Sequence, residues 1–166
     1  MRALVVYGTR SGCTAGIAER IGETLSSAGY VVRVASAPEA GDAADYDVIV
    51  VGSGVRVGQW HDSAKAWVLR NADALKQMPV ALFTCGLMIT DSSKADEVRA
   101  YTDPIVAEAG IEPVDIGLFA GWNEPKHQSL LERGVMKVMK APVGDFRDWN
   151  VITLWAESLV AKFGLA

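Results

Sequence analysis

A doubly wound α/β sheet is the fold this sequence predicts, and three observations predict it. Five short apolar runs recur along the chain, stretches with helical spacing separate them, and the first and third runs are almost continuously apolar. Unbroken apolarity marks strands covered on both faces, as in a parallel sheet with helices above and below. Strand and helix alternate throughout, and 166 residues suit one domain, 1–166, with a real core.

The elements follow in order. ALVVYG (3–8) is the first strand, and Ile17, Ile21 and Leu25 then repeat at i, i+4, i+8 as the apolar stripe of a helix closed by Gly29. YVVRVAS (30–36) is the second strand. The linker from Ser36 to Asp47 is too poor in apolar residues for a full helix, so a short turn or degenerate helix is expected. DVIVVGSG (47–54) is the third strand, followed by a helix over about 62–77 with Ala66, Leu69 and Leu75 inward. PVALFTCG (79–86) leads to a helix over 94–109 that stops at Gly110, and VDIGLFAG (114–121) is the fifth strand. The last helix runs from Asp148 or Asn150 to about Phe163, with Ile152, Trp155, Leu159 and Phe163 on one side.

Residues 121–148 interrupt this rhythm before the last helix. A long connection in a compact domain is more often functional than idle. Within it, Lys126, Arg133, Lys137 and Lys140 face one acid, Glu132, beside Leu131, Val135, Val138 and Met139. That stretch, 126–140, reads as a solvated helix face or as a docking helix for a membrane surface or partner.

Composition narrows the function. A net charge of −4 argues against a nucleic-acid binder that works by neutralising phosphates. Cys13 and Cys85 lie far apart and form neither a CxxC pair nor a zinc pattern, which points to a reduced, cytoplasmic setting. No signal peptide is expected, and no apolar run approaches the roughly 18 residues that span a bilayer.

The chemistry gathers in loops. Thr9-Arg10-Ser11-Gly12-Cys13-Thr14 joins the first strand to its helix. A helix start directs unpaired N–H groups outward and favours an anion. Thr9, Ser11 and Thr14 add hydroxyls, and Arg10 adds a cation. A triphosphate loop needs GxxxxGK[ST], and no lysine follows here. The GxGxxG fingerprint is absent too, since Gly52, Gly54 and Gly58 are spaced GxGxxxG. A terminal phosphomonoester remains, with Thr14 as a simple helix cap the competing reading. Two more loops leave the same sheet edge, with Ser53, Gly54, Val55, Arg56, Val57 and Gly58 in one and Thr84, Cys85, Gly86 and Leu87 in the other. Their backbones suit the edge of a planar isoalloxazine, with Val57, Trp60 or Leu87 on its faces. Trp60 also reads as a packing anchor, and Trp122 is equally ambiguous.

For proton transfer only His61 stands beside the proposed ring, and a histidine there also reads as a capping residue. Arg56 and His127 are candidates to meet an anionic substrate. Cys13 sits at a helix start that lowers a thiol pKa, although both cysteines also read as small residues filling tight loops.

These residues resemble a known family. Thr9 to Thr14 matches the T-x-[ST]-G-x-T phosphate loop of flavodoxins. VVYGTRSGCT, VVGSGVRVGQWH, MPVALFTCGL and the stretch from Met136 to Trp149 resemble the menaquinone-dependent protoporphyrinogen oxidase branch, in order and spacing. The resemblance implies strand order 2-1-3-4-5 and non-covalent FMN, its phosphate on Thr9 to Thr14 and its ring between 53–58 and 84–87. It also implies oxidation of protoporphyrinogen IX with electrons passed to a quinone, and peripheral membrane contact through 126–140. A flavodoxin that only ferries electrons between redox proteins is the alternative the same chain fits.

Overall fold

The computed structural model describes residues 1–90, 92–127, 129–138 and 141–164. Met139 and Lys140, which the sequence places in the basic stretch 126–140, lie outside the described residues. β1 (Arg2–Gly8) turns into α1 (Cys13–Ser27), and β2 (Val31–Ser36) follows. A 3₁₀ turn over Ala43–Asp45 stands where a second crossover helix would, before β3 (Val48–Arg56) and the short β4 (Gln59–Trp60). Next come α2 (Asp62–Arg70), α3 (Ala72–Leu75), β5 (Val80–Gly86), α4 (Ala95–Arg99), α5 (Asp103–Ala109) and β6 (Asp115–Ala120). β7 (Trp122–Asn123), α6 (Leu130–Val138), β8 (Gly144–Asp145) and α7 (Trp149–Lys162) complete the chain.

The main sheet runs β2-β1-β3-β5-β6, all parallel, with β4 folded back antiparallel on β3. This is the order 2-1-3-4-5 when the five main strands are counted alone. Side chains alternate between faces, so each strand feeds two cores. Ala3, Val5, Val48, Val50, Ala81 and Phe83 meet Ile17, Ile21 and Leu25 of α1 and Ile152, Ala156 and Leu159 of α7. Leu4, Val6, Ile49, Val51 and Leu82 meet Trp67, Val68, Leu75, Ile105 and Ile111 on the other side. Each such aliphatic side chain, fully buried, contributes roughly 1.5–3 kcal/mol.

The predicted helices differ from the observed ones for local reasons. The 62–77 stretch breaks at Asn71, whose amide is turned inward: its Oδ1 accepts from Ala43 N–H at 2.9 Å, and its Nδ2 donates to the Trp67 carbonyl at 2.9 Å. Trp67 in turn donates its indole N–H to the Gly41 carbonyl at 3.1 Å. These bonds hold down the helix-poor linker. Ala66, expected inward, is exposed, because Ala64, Trp67 and Val68 form the buried stripe and the large indole dictates the face. The 94–109 stretch breaks before α5, where Pro104 lacks the N–H a continuous helix would need. The Asp103 N–H donates to the Ala100 carbonyl instead, and Thr102 donates its hydroxyl to the Arg99 carbonyl at 2.7 Å.

Gly52 marks the tightest point of the sheet. A Cβ there would stand 1.9 Å from the Phe83 ring, which is itself held against Phe119 and Trp155 at centroid distances of 5.9 and 6.4 Å. Gly52→Ala is therefore expected to cost about 2–3 kcal/mol by overpacking, read as a lowered urea midpoint with unchanged slope.

Candidate functional site

The segments 9–12, 57–58 and 87–90 all leave the carboxyl edge of the sheet, where open α/β sheets bind ligands. At its centre β1 hands over to α1. Gly12 is the N-cap of α1 with φ +87°, a left-handed conformation that a side-chain-bearing residue rarely adopts. Thr9 Oγ1 accepts the Gly12 N–H at 3.0 Å and closes the turn. No side chain caps α1, and its first turn carries no acid. Thr14, read from the sequence as a possible cap, is instead buried inside that first turn, with its Oγ1 placed 3.1 Å from where a Cβ on Gly54 would stand. The result is a helix start whose positive end is unspent, flanked by Thr9, Ser11 and the exposed Arg10.

The connection 121–148 packs against this loop. β7 and β8 pair antiparallel, Trp122 with Asp145 and Asn123 with Gly144, and the buried Asn123 donates to the Pro142 carbonyl at 2.7 Å. Trp122 donates its indole N–H to Ser11 Oγ at 3.1 Å and its backbone N–H to Cys13 Sγ at 3.3 Å. With one lone pair of Ser11 occupied, its hydroxyl proton is left to point elsewhere. The Trp122 ring stacks on His127 at 4.4 Å. On the other side the Arg147 guanidinium lies between Trp122 at 4.3 Å and Trp149 at 4.5 Å. Asp145 holds Arg147 at 2.5 Å, and that guanidinium keeps the Asp145 carboxyl below the ordinary carboxylate range. Arg147 also reaches the helix, since a Cβ on Gly16 would stand 2.7 Å from its Nη1.

Beside the loop, the third and fourth main strands end together, with Gly54 opposite Cys85. The sequence places 53–58 in a loop, but β3 continues to Arg56 and turns through Val57 (φ +51°) and Gly58 (φ +72°) into β4. Val57, at the tip, is 93% exposed, and Gly58 packs near the Tyr101 ring. Ser53 and Thr84 are fully buried and spend their hydroxyls internally. Ser53 Oγ accepts the His61 N–H at 2.7 Å and donates to the Gly54 carbonyl at 2.9 Å. Thr84 Oγ1 accepts the Trp60 indole N–H at 2.9 Å, which makes Trp60 a packing anchor. Val55 and Leu87 are half-buried beside Gly86, and Arg56 is exposed. His61 caps α2, its Nδ1 accepting the Ser63 N–H at 3.3 Å.

A family model described as "Flavodoxin domain" matches residues 4–150. The chain belongs to this family. Over 98% of its length it is 27% identical to the protoporphyrinogen IX dehydrogenase (quinone) of Escherichia coli strain K12, covering 92% of that protein. Solved structures share the fold. Oxidised flavodoxin 2 of Bacillus cereus aligns at a TM-score of 0.64 with 21% identity, 98% of this chain and all (100%) of that one covered. A flavodoxin from Archaea aligns at 0.61 with 20% identity, covering 98% and 99% of the two chains.

Two parts of this flavodoxin domain were out of reach of sequence reasoning. Arg147 reaches α1 only because β7 and β8 bring Asp145 and Trp122 together across the 121–148 connection. Tyr101 lies in a broken helix and meets the hairpin tip through space alone. The D-x-R of Asp145 and Arg147 between aromatics was a signal, although the same pattern marks ordinary surface pairs.

The geometry generates two expected outcomes. Val57 is β-branched in a two-residue turn that favours Asn-Gly, so Val57→Asn should stabilise the fold by about 0.5–1 kcal/mol in urea unfolding. The folded state depresses the Asp145 carboxyl, so its contribution is complete above the ordinary carboxylate pKa and lost as pH falls through and below it. Tryptophan fluorescence should therefore shift on acidification below that range, and in Asp145→Asn the shifted spectrum should already be present at pH 7.

Proposed function

We propose that this flavodoxin-domain protein holds FMN non-covalently and is an oxidoreductase that passes electrons from protoporphyrinogen IX to a quinone. The observation that carries the reading is the uncapped, acid-free start of α1 behind Thr9 to Thr14. Amides and hydroxyls without a lysine suit a single phosphomonoester. In this reading Thr9, Arg10, Ser11 and Thr14, with the backbone of Gly12 and Cys13, hold the phosphate, and Trp122 orients the Ser11 hydroxyl for it. The backbone of Ser53 to Val55 and of Thr84 to Leu87 borders the ring, and Val57 and Leu87 supply apolar cover. FMN, when bound, supplies the electron and hydride chemistry of flavins. The chain's own work is to bind it, orient it and keep water from it.

The donor and acceptor are supported by the name of the Escherichia coli relative, alike over nearly the whole chain. The quinone side is supported by α6 as well. Leu131, Val135 and Val138 recur at i, i+4, i+7, and Leu130, Leu131 and Val138 are 85%, 77% and 85% exposed, next to the exposed Arg133 and Lys137. No helix among the described residues is long and apolar enough to cross a membrane. An apolar face flanked by cations suits the surface of an anionic bilayer carrying the quinone. A second reading, electron carriage between redox proteins, is favoured by the exposed Val57 at the hairpin tip, which offers a small apolar contact for a protein partner.

An absorption spectrum of the purified protein, then an anaerobic assay with protoporphyrinogen and a menaquinone analogue, separates these readings. The expected result is a flavin spectrum and porphyrinogen oxidation that requires the quinone. Rapid reduction by a reductase protein with porphyrinogen untouched would establish the carrier. A colourless protein that ignores added FMN would overturn both. Replacing Leu131 and Val135 by serine should lower vesicle binding about a hundredfold or more, as two buried apolar side chains warrant, and lower the quinone-linked rate with it, the flavin spectrum being unchanged.

A further inference from the structure

Cys13 and Cys85, 72 residues apart, bring their Sγ atoms to 3.4 Å of each other. Both are free thiols and both are buried, at 7% and 4% exposure. Cys13 opens α1 in the phosphate loop, and Cys85 lies next to the end of β5, opposite Gly54. Gly121 closes the pair from a third side, since a Cβ there would stand 3.1 Å from Cys85 Sγ and 3.3 Å from Cys13 Sγ. We propose that Cys13 and Cys85 are a redox-modification site: hydrogen peroxide converts the two thiols into an intramolecular disulfide, which dithiol reductants reopen.

The two sulfurs have different surroundings, and these assign the roles. Cys13 Sγ shares a hydrogen bond with the Cys85 thiol, accepts the Trp122 N–H, begins a helix and lies in the field of the Arg147 guanidinium. These contacts lower its pKa below that of an ordinary thiol, against the opposing effect of burial, so Cys13 is the thiolate that attacks. The hydrogen bond that Cys85 shares with Cys13 and its deeper burial push its pKa well up, so it resolves rather than attacks. Both thiols are buried, so the oxidant proposed is a small one, hydrogen peroxide.

The chemistry balances in two steps. The Cys13 thiolate attacks one peroxide oxygen, forming an S–O bond, breaking the O–O bond and releasing hydroxide; Cys13 is now a sulfenic acid. The Cys85 sulfur then attacks the Cys13 sulfur and displaces the hydroxyl, which leaves as water with the Cys85 proton. Two thiol sulfurs are oxidised by one electron pair, and one peroxide is reduced. A disulfide needs its sulfurs about 2.05 Å apart, so the pair, now at 3.4 Å, has a little over 1 Å to close. The bond ties the first turn of α1 to the end of β5. If FMN binds as proposed, it joins the phosphate side of the cradle to the ring side; that consequence rests on the FMN reading, and the bond itself does not.

The test uses the full-length protein, reduced and then exposed to hydrogen peroxide, alkylated under denaturing conditions and mapped by mass. The expected result is that both thiols disappear together, a Cys13–Cys85 cross-linked peptide appears, and a dithiol restores both. Cys85→Ser should leave Cys13 as a sulfenic acid trapped by a dimedone probe. Cys13→Ser should slow oxidation of Cys85 at least about tenfold. Thiols lost independently, cross-links only between molecules, or thiols that persist in the wild-type protein would each overturn the proposal. None of these readouts contains a flavin signal, so a failure here is separable from a failure to bind FMN.

Discussion

The left-handed backbone at Gly12 is the constraint on which the site depends. It lets β1 turn into α1 at once, with Thr9 closing the turn and no side chain spent on capping. Any other residue at Gly12 would carry the strain of φ +87°, and a Cβ there would also stand 3.6 Å from the Trp122 ring. The start of α1 is thereby left without a side-chain cap and without an acid in its first turn. A cluster of hydroxyls beside an acid-free helix start is what the proposed phosphate seat requires.

Around that point the molecule divides its polar groups by depth. Ser53 and Thr84 are hydrogen-bonded inside and fix the strand ends, while Thr9, Ser11 and Arg10 stand nearer the surface. The 121–148 connection does more than cross the sheet edge. Through Trp122 it orients Ser11 and contacts Cys13, and through Arg147 it sets a guanidinium between two indoles against α1. Loop, helix start and connection are one hydrogen-bonded unit, so a change in any of them is felt at the others.

Periodicity made the sheet legible: five apolar runs mark the five main strands, and the absence of an apolar stripe from Ser36 to Asp47 foretold the 3₁₀ turn. The 9–12 turn from β1 into α1 was legible because its residues are contiguous. Helix breaks at Asn71 and before Pro104 were less so, since the first depends on a side chain reaching Ala43 across the fold. Ala66 was assigned inward because small apolar residues fit either face, and only Trp67 settles which one is buried. The Cys13–Cys85 pair was invisible at 72 residues of separation. Through-space neighbours such as Arg147 and Trp122 leave little local trace in the chain.

The most direct test is calorimetric titration of the protein with riboflavin 5′-phosphate beside plain riboflavin. If the start of α1 is the anion seat, the phosphorylated ligand binds at least about tenfold more tightly, the margin expected from charge-assisted hydrogen bonds. Equal affinity for the two, or no heat with either, would contradict the account.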